Sequence, residues 1–142
     1  MASLAGKDVL LYFKHETYTN DEWLVAVCAI QHTLSEQKAE STTITKCGSE
    51  TVAGTDDNSI SFDLTFLKGQ PAAGEVSAKI LRTMYRAGVE FEWRSADAYP
   101  SAQDIDEQGL AVMTACETSF PAEGLVNVSL TLKVNGTITS NI

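Results

Sequence analysis

With 142 residues, 44% of them apolar and 20% charged, the chain has the size and mix of a single soluble domain. Such a chain buries about two-thirds of the surface its unfolded form exposes, so one core is expected and disorder is not. The net charge of −9, nineteen acids against ten bases, speaks against a protein that grips nucleic acid by its phosphates, which takes clustered Lys and Arg.

The chain opens on Met1-Ala2-Ser3-Leu4-Ala5-Gly6-Lys7-Asp8, without the basic segment and apolar run of a secretory signal. No stretch approaches the ~20 consecutive apolar residues that cross a bilayer. Synthesis in the cytoplasm is therefore expected. Residues 9–13 and 23–30 are apolar on both faces and predict strands covered on both sides. Between them Thr19-Asn20-Asp21-Glu22 supplies turn chemistry for a hairpin. Residues 33–59 are rich in Ser, Thr, Glu and Asp, with Leu34, Ile44 and Val52 as apolar anchors. A connection of this length in a small domain is usually functional, and its β-branched centre, Thr42-Thr43-Ile44-Thr45-Lys46, suits a long loop or hairpin arm.

In Ile60-Ser61-Phe62-Asp63-Leu64-Thr65-Phe66 every second residue is apolar, the period of a strand with one buried face. Residues 73–87 predict the one helix. Val76, Ile80, Met84 and Ala87 recur at helical spacing, Leu81 and Tyr85 widen the stripe, and Gly88 stands where a left-handed stop belongs. Val89-Glu90-Phe91-Glu92-Trp93-Arg94 alternates again. Residues 95–109, with Pro100, Asp97, Asp104, Asp106 and Glu107, read as an exposed loop. Residues 110–120 mix apolar positions with Thr and Cys, as in a strand covered on both faces. Val126-Asn127-Val128-Ser129-Leu130-Thr131-Leu132-Lys133-Val134-Asn135 gives the clearest alternation of all. The fold predicted for residues 1–142 is mainly β, a single antiparallel β-sandwich or half-barrel with one flanking helix.

Little in the chain points to catalysis. His15 and His32 have no further ligand type at metal-binding spacing, so neither a metal nor a cofactor is expected. Ser49 lacks the Gly-x-Ser-x-Gly elbow and its strand–turn–helix setting. Glu90 and Glu92, two apart on a strand, share a face at about 7 Å with nothing to polarise one against the other. Asp104-Ile105-Asp106-Glu107 lacks the spacing and central Gly of a calcium loop. Cys28, Cys47 and Cys116 are too few and too widely spaced for a disulfide framework, which leaves them as small apolar residues. The aromatic residues Tyr12, Tyr18, Trp23, Trp93 and Tyr99 would serve a monomeric binding module only if they lay on the surface; burial is the usual fate of such side chains. Charge is uneven: residues 68–88 carry +3 (Lys68, Lys79, Arg82 and Arg86 against Glu75), and residues 89–123 carry −7 (Arg94 against eight acids).

The order of these features resembles the major tail tube proteins of long-tailed bacteriophages and gene transfer agents. Gly6-Lys7-Asp8-Val9-Leu10-Leu11 is similar to that family's opening strand, and residues 23–30 leading into the Ser/Thr/Glu-rich stretch to its second strand and long loop. The helix with the strand after it matches the family's middle, and residues 126–138 its last strand. Residues 49–58 lack the tryptophan that many members carry there. The resemblance implies a structural virion protein, not an enzyme. Hexameric rings, joined sheet to sheet, would stack into a tube that conducts DNA without specific binding. Tape measure, tail tip and terminator proteins would be its partners and the virion tail its location, after synthesis in the host bacterium. On this reading the outward acids Asp63, Glu90 and Glu92 are candidates to line the channel, and Thr42, Thr43, Ile44, Thr45, Lys46 and Glu50 to make contacts between rings. Two other readings are a tube-forming protein of a contractile injection system and the monomeric binding module.

Overall fold

The computed structural model describes residues 9–26, 29–46, 48–65, 74–97 and 105–142, with the backbone alone for 29–30, 39–45 and 49–55. Strands β1 (Val9–Lys14) and β2 (Leu24–Val25) form a hairpin. Its turn places Asn20 and Asp21 in the left-handed region, at φ 54° and 57°, which Asn and Asp tolerate best among residues with a Cβ. The backbone oxygen of His15 accepts from the N–H groups of Thr19 and Asp21, both at 3.1 Å, and its Nδ1 accepts from the N–H of Thr17 at 3.0 Å. His15 is thus absorbed by the turn.

Next come β3 (Ala29–Ser35), β4 (Lys38–Thr45), β5 (Gly48–Asp56) and β6 (Ser59–Thr65), then helix α1 (Ala78–Ala87). The chain ends with β7 (Glu90–Asp97), β8 (Asp106–Ser119) and β9 (Asn127–Ser140). Seven strands form one antiparallel sheet in the order β2-β1-β7-β8-β9-β6-β3, and β4 and β5 pair as a separate two-stranded arm. The fold is the mainly β, antiparallel, one-helix architecture that the alternation predicts. The sheet does not close into a barrel.

The sheet is nevertheless rolled. Val25 on one edge strand and Ala29 on the other are four residues apart, a span of at most about 14 Å. The inward faces of distant strands also meet. His32 Nε2 on β3 lies 2.8 Å from Ser95 Oγ on β7, and the Phe13 ring of β1 sits 5.4 Å from Phe62 of β6 and 5.6 Å from Phe91 of β7. Trp93, Phe13, Leu11, Ile60, Leu130 and Leu132 are fully buried between the two halves, with Leu81 and Met84 of α1 sealing one side. The helix contacts β8.

Three boundaries differ from the sequence reading. Residues 23–30 are not one strand but two, on opposite edges of the sheet. The helix begins at Ala78 and not near 73. Residues 74–76 are drawn into a parallel bridge, in which Val25 N–H donates to Gly74 O and Val76 N–H to Val25 O, both at 2.9 Å. Ser77 then caps the helix, its Oγ accepting from Ile80 N–H at 3.2 Å, and Gly88 at φ 66° closes it. Finally, 95–97 and 106–109 are strand, not loop; Asp97 is buried, and its carboxylate accepts from Ile105 N–H at 2.9 Å. Residues 98–104 lie outside the described part.

Burial lowers the pKa of His32 below its ordinary 6.5, because the imidazolium would lose its hydration among core side chains. An unfolded chain takes up this proton first, so the stability that neutral His32 contributes is complete above pH 6.5 and declines as the pH falls towards the folded value. Thermal melts from pH about 7.5 to about 5.5 should show a fall in Tm that is reduced in His32→Gln. An unchanged pH slope in the variant would assign the fall to other groups.

Candidate assembly surfaces

Three surfaces stand out from the rolled sheet, and the first is the arm. Strands β4 and β5 pair from Lys38↔Asp56 to Thr45↔Gly48, with a register shift between Lys38 and Glu40, and reverse at Lys46, which is exposed. Eight residues of extended chain reach about 27 Å. The arm confirms the hairpin reading of 33–59, with β3 and the start of β6 taken into the main sheet. Of the six residues expected to contact another ring, Lys46 stands at the tip. Thr42, Thr43, Ile44 and Thr45 lie on β4 and Glu50 on β5, where the backbone alone is described.

The foot of the arm is fixed by Asn58, which is buried. Its side-chain oxygen accepts from Gln37 N–H at 3.1 Å and its backbone oxygen from Val134 N–H at 3.0 Å, so one residue ties the arm to β9. Lys38 pairs with Asp56 at 2.7 Å and Lys133 pairs with Asp57. Both pairs are exposed, and water and salt screen such pairs so that they contribute little. Glu107 near the start of β8 has a raised pKa, first from burial and then from the negative charge of Glu36 at the same foot, with a hydrogen bond from Ser140 opposing.

The second surface is the outward face of the sheet. Cross-strand registers place Gln31, Asp63, Ser129 and Glu117 in one row and Thr33, Ser61, Thr131 and Ala115 in the next. Asp63 accepts from Ser129 Oγ at 2.5 Å. Further along, Glu90 and Glu92 lie exposed on the same face, Glu90 accepting from Asn135 Nδ2 at 2.9 Å and Glu92 lying 3.8 Å from Lys14 Nζ. The structure therefore gathers all three predicted acids on one face and adds Glu117. Simple alternation from Met113 points Glu117 inward, but a register shift between Met113 and Ala115 reverses the phase. No sequence signal short of recognising that bulge would find it.

The two ends of this face differ. On the β1–β7 side it is closed by Trp23, whose ring lies 5.6 Å from Lys14 Nζ and 5.0 Å from the Arg94 guanidinium carbon, and Arg94 Nε lies 3.1 Å from Asp106 Oδ1. On the β8–β9–β6–β3 side it presents short hydroxyls and acids. Trp93 and Tyr12 are buried, and Trp23 and Tyr18 half-buried, so these aromatics do not form the open surface a binding module needs. Tyr99 lies outside the described residues, as do Cys28 and Cys47; Cys116 is half-buried with a free thiol.

The third surface is a pair of strand edges. β7 begins at Glu90, opposite Val112, so no described strand pairs with the β7-facing edge of residues 114–119. Among the described residues β3 has a strand only on its β6 side. The lower half of β8, the lower half of β9, β6 and β3 thus form a four-stranded unit with one unpaired edge on each flank.

The model of the phage tail tube protein family matches residues 3–140. The chain belongs to the phage tail tube protein family. Among solved structures, the tail tube of bacteriophage SPP1 is similar over 98% of this chain and 79% of that one, with a TM-score of 0.78 at 19% identity. The tail of an empty gene transfer agent particle, refined helically with C6 symmetry, is similar over 99% of this tail tube subunit and 100% of its own chain (TM-score 0.72, 16% identity). A native gene transfer agent virion contains a further match, over 99% and 100% (TM-score 0.70, 14% identity). No curated protein matches closely enough to count as a relative. The family is a structural one whose place is the virion tail. Among the described residues no helix is long and apolar enough to cross a membrane.

Asn58→Ala should destabilise the subunit by about 1–2 kcal/mol, whereas Lys38→Ala should leave its stability nearly unchanged. Urea denaturation followed by tryptophan fluorescence measures both. Equal effects would move the anchor of the arm from the buried amide to the exposed ion pair.

Proposed function

We propose that this tail tube subunit closes into a ring by pairing the β3 edge of one copy with the lower β8 edge of the next, and that stacked rings conduct DNA. The observation that carries this reading is the four-stranded unit with one unpaired edge on each flank. The two edges are different, so the contact is head-to-tail, and a head-to-tail contact closes when its rotation divides the circle. Six copies suit the C6 symmetry of the gene transfer agent tail whose subunit shares the fold. Closure also removes the hazard of open edges, which otherwise recruit further strands without limit.

The face of that unit, with Ser61, Ser129, Thr131, Asp63 and Glu117, becomes the channel wall. Acids repel the phosphates of passing DNA, and the face has no cluster of Lys and Arg to neutralise them, so the duplex slides without binding. Glu90 and Glu92 lie towards the Trp23-covered side and contribute less. The subunit does its work through assembly and not through catalysis. It needs no cofactor, and its partners are its own copies and the tape measure, tail tip and terminator proteins of the tail. It is made in the host cytoplasm and recruited from there. The arm, held at its foot by Asn58, serves contact between rings through its tip.

Asp63→Lys and Glu117→Lys should each slow DNA ejection by about tenfold or more while tubes still assemble, with smaller effects for Glu90→Lys and Glu92→Lys. Time-resolved ejection from purified particles measures this. Normal ejection from tubes carrying either of the first two would remove this face from the channel.

A further inference from the structure

The turn between β8 and β9 carries an apolar surface that the subunit's own core does not use. Phe120 is 73% exposed and Leu125 66% exposed, on either side of Pro121 and Gly124. Isolated exposed apolar residues are ordinary, but here two large ones share one seven-residue turn, 120–126, whose single charged side chain is Glu123, and such a patch marks a contact. Their position identifies it. β8 and β9 are antiparallel, and the arm leaves the sheet where Ser35, Ser59 and Lys133 stand abreast, whereas the turn closes the opposite end beyond Asn127 and Ser119. Arm foot and apolar turn therefore lie at opposite ends of the four-stranded unit.

We infer that the β8–β9 turn is the receptor for the arm tip of a copy in the neighbouring ring. The inference rests on the ring-stacking reading above. A stack of identical rings that grows in one direction must join two unlike surfaces, one at each end of the subunit. The arm is the extended element whose foot lies at one end, and Phe120 with Leu125 is the exposed apolar pair at the other. The charges agree. The arm reverses at the exposed cation Lys46, and the turn bears the exposed anion Glu123.

The test uses the full chain, concentrated and imaged by negative stain, with circular dichroism melts as a folding control. Phe120→Ser with Leu125→Ser should leave the melt unchanged and rings intact, while raising the concentration needed for tubes about a hundredfold. Lys46→Glu alone and Glu123→Lys alone should each shorten tubes, and the two together should restore them. Tubes of ordinary length from the serine variant, or no recovery in the charge exchange, would overturn this assignment and leave ring formation standing. Failure of the unmodified chain to form rings at any concentration, even on a seeding tail complex, would instead overturn the ring reading, and this one with it.

Discussion

The structure depends on the pairing of two fourteen-residue strands, β8 and β9, that outrun their neighbours. A strand of this length serves two half-sheets at once. Its upper part completes the β1–β7 side and its lower part the β6–β3 side, so rolling the sheet brings two apolar faces together around Trp93, Phe13 and Leu130. The same overreach leaves the lower edge of β8 without a strand beside it among the described residues. Core formation and the edge through which we propose the subunit assembles are thus consequences of one length mismatch.

Register irregularities turn that pairing into a shaped object. The shift between Met113 and Ala115 bends β8 and sends Glu117 to the face that holds Asp63. The shift between Gln108 and Leu110 is taken up opposite Gly136, at φ 72°, where a Cβ would be strained. Gly109 faces the buried indole of Trp93 so closely that a Cβ would sit 3.1 Å from Nε1. Each irregularity costs ladder hydrogen bonds locally and is offset by the burial that bending permits.

Much of this was legible in the chain. Strict alternation in 60–66 and 126–135 marked β6 and β9, because a half-buried strand has to alternate, and the stripe from Ile80 to Ala87 with Gly88 marked the helix. The polar 33–59 segment read as a long loop or hairpin arm because its centre is rich in β-branched residues, which favour extended chain. Alternation was uninformative where tertiary context decides. Nothing in 23–30 says that the chain leaves one edge of the sheet and joins the other. The acids at 106 and 107 looked solvated, but Asp106 lies against Arg94 and both are half-buried. The lower edge of β8 follows from where β7 starts, a property of pairing that no single segment carries.

Helical reconstruction of assembled tubes by cryo-electron microscopy tests the central claim most directly. The account predicts an unbroken ladder across each subunit boundary, with residues 29–35 of one copy about 4.8 Å from residues 114–119 of the next, and Asp63 and Glu117 facing the bore. Boundaries at which side chains meet without strand pairing, or a bore lined by the Trp23 side of the sheet, would contradict it.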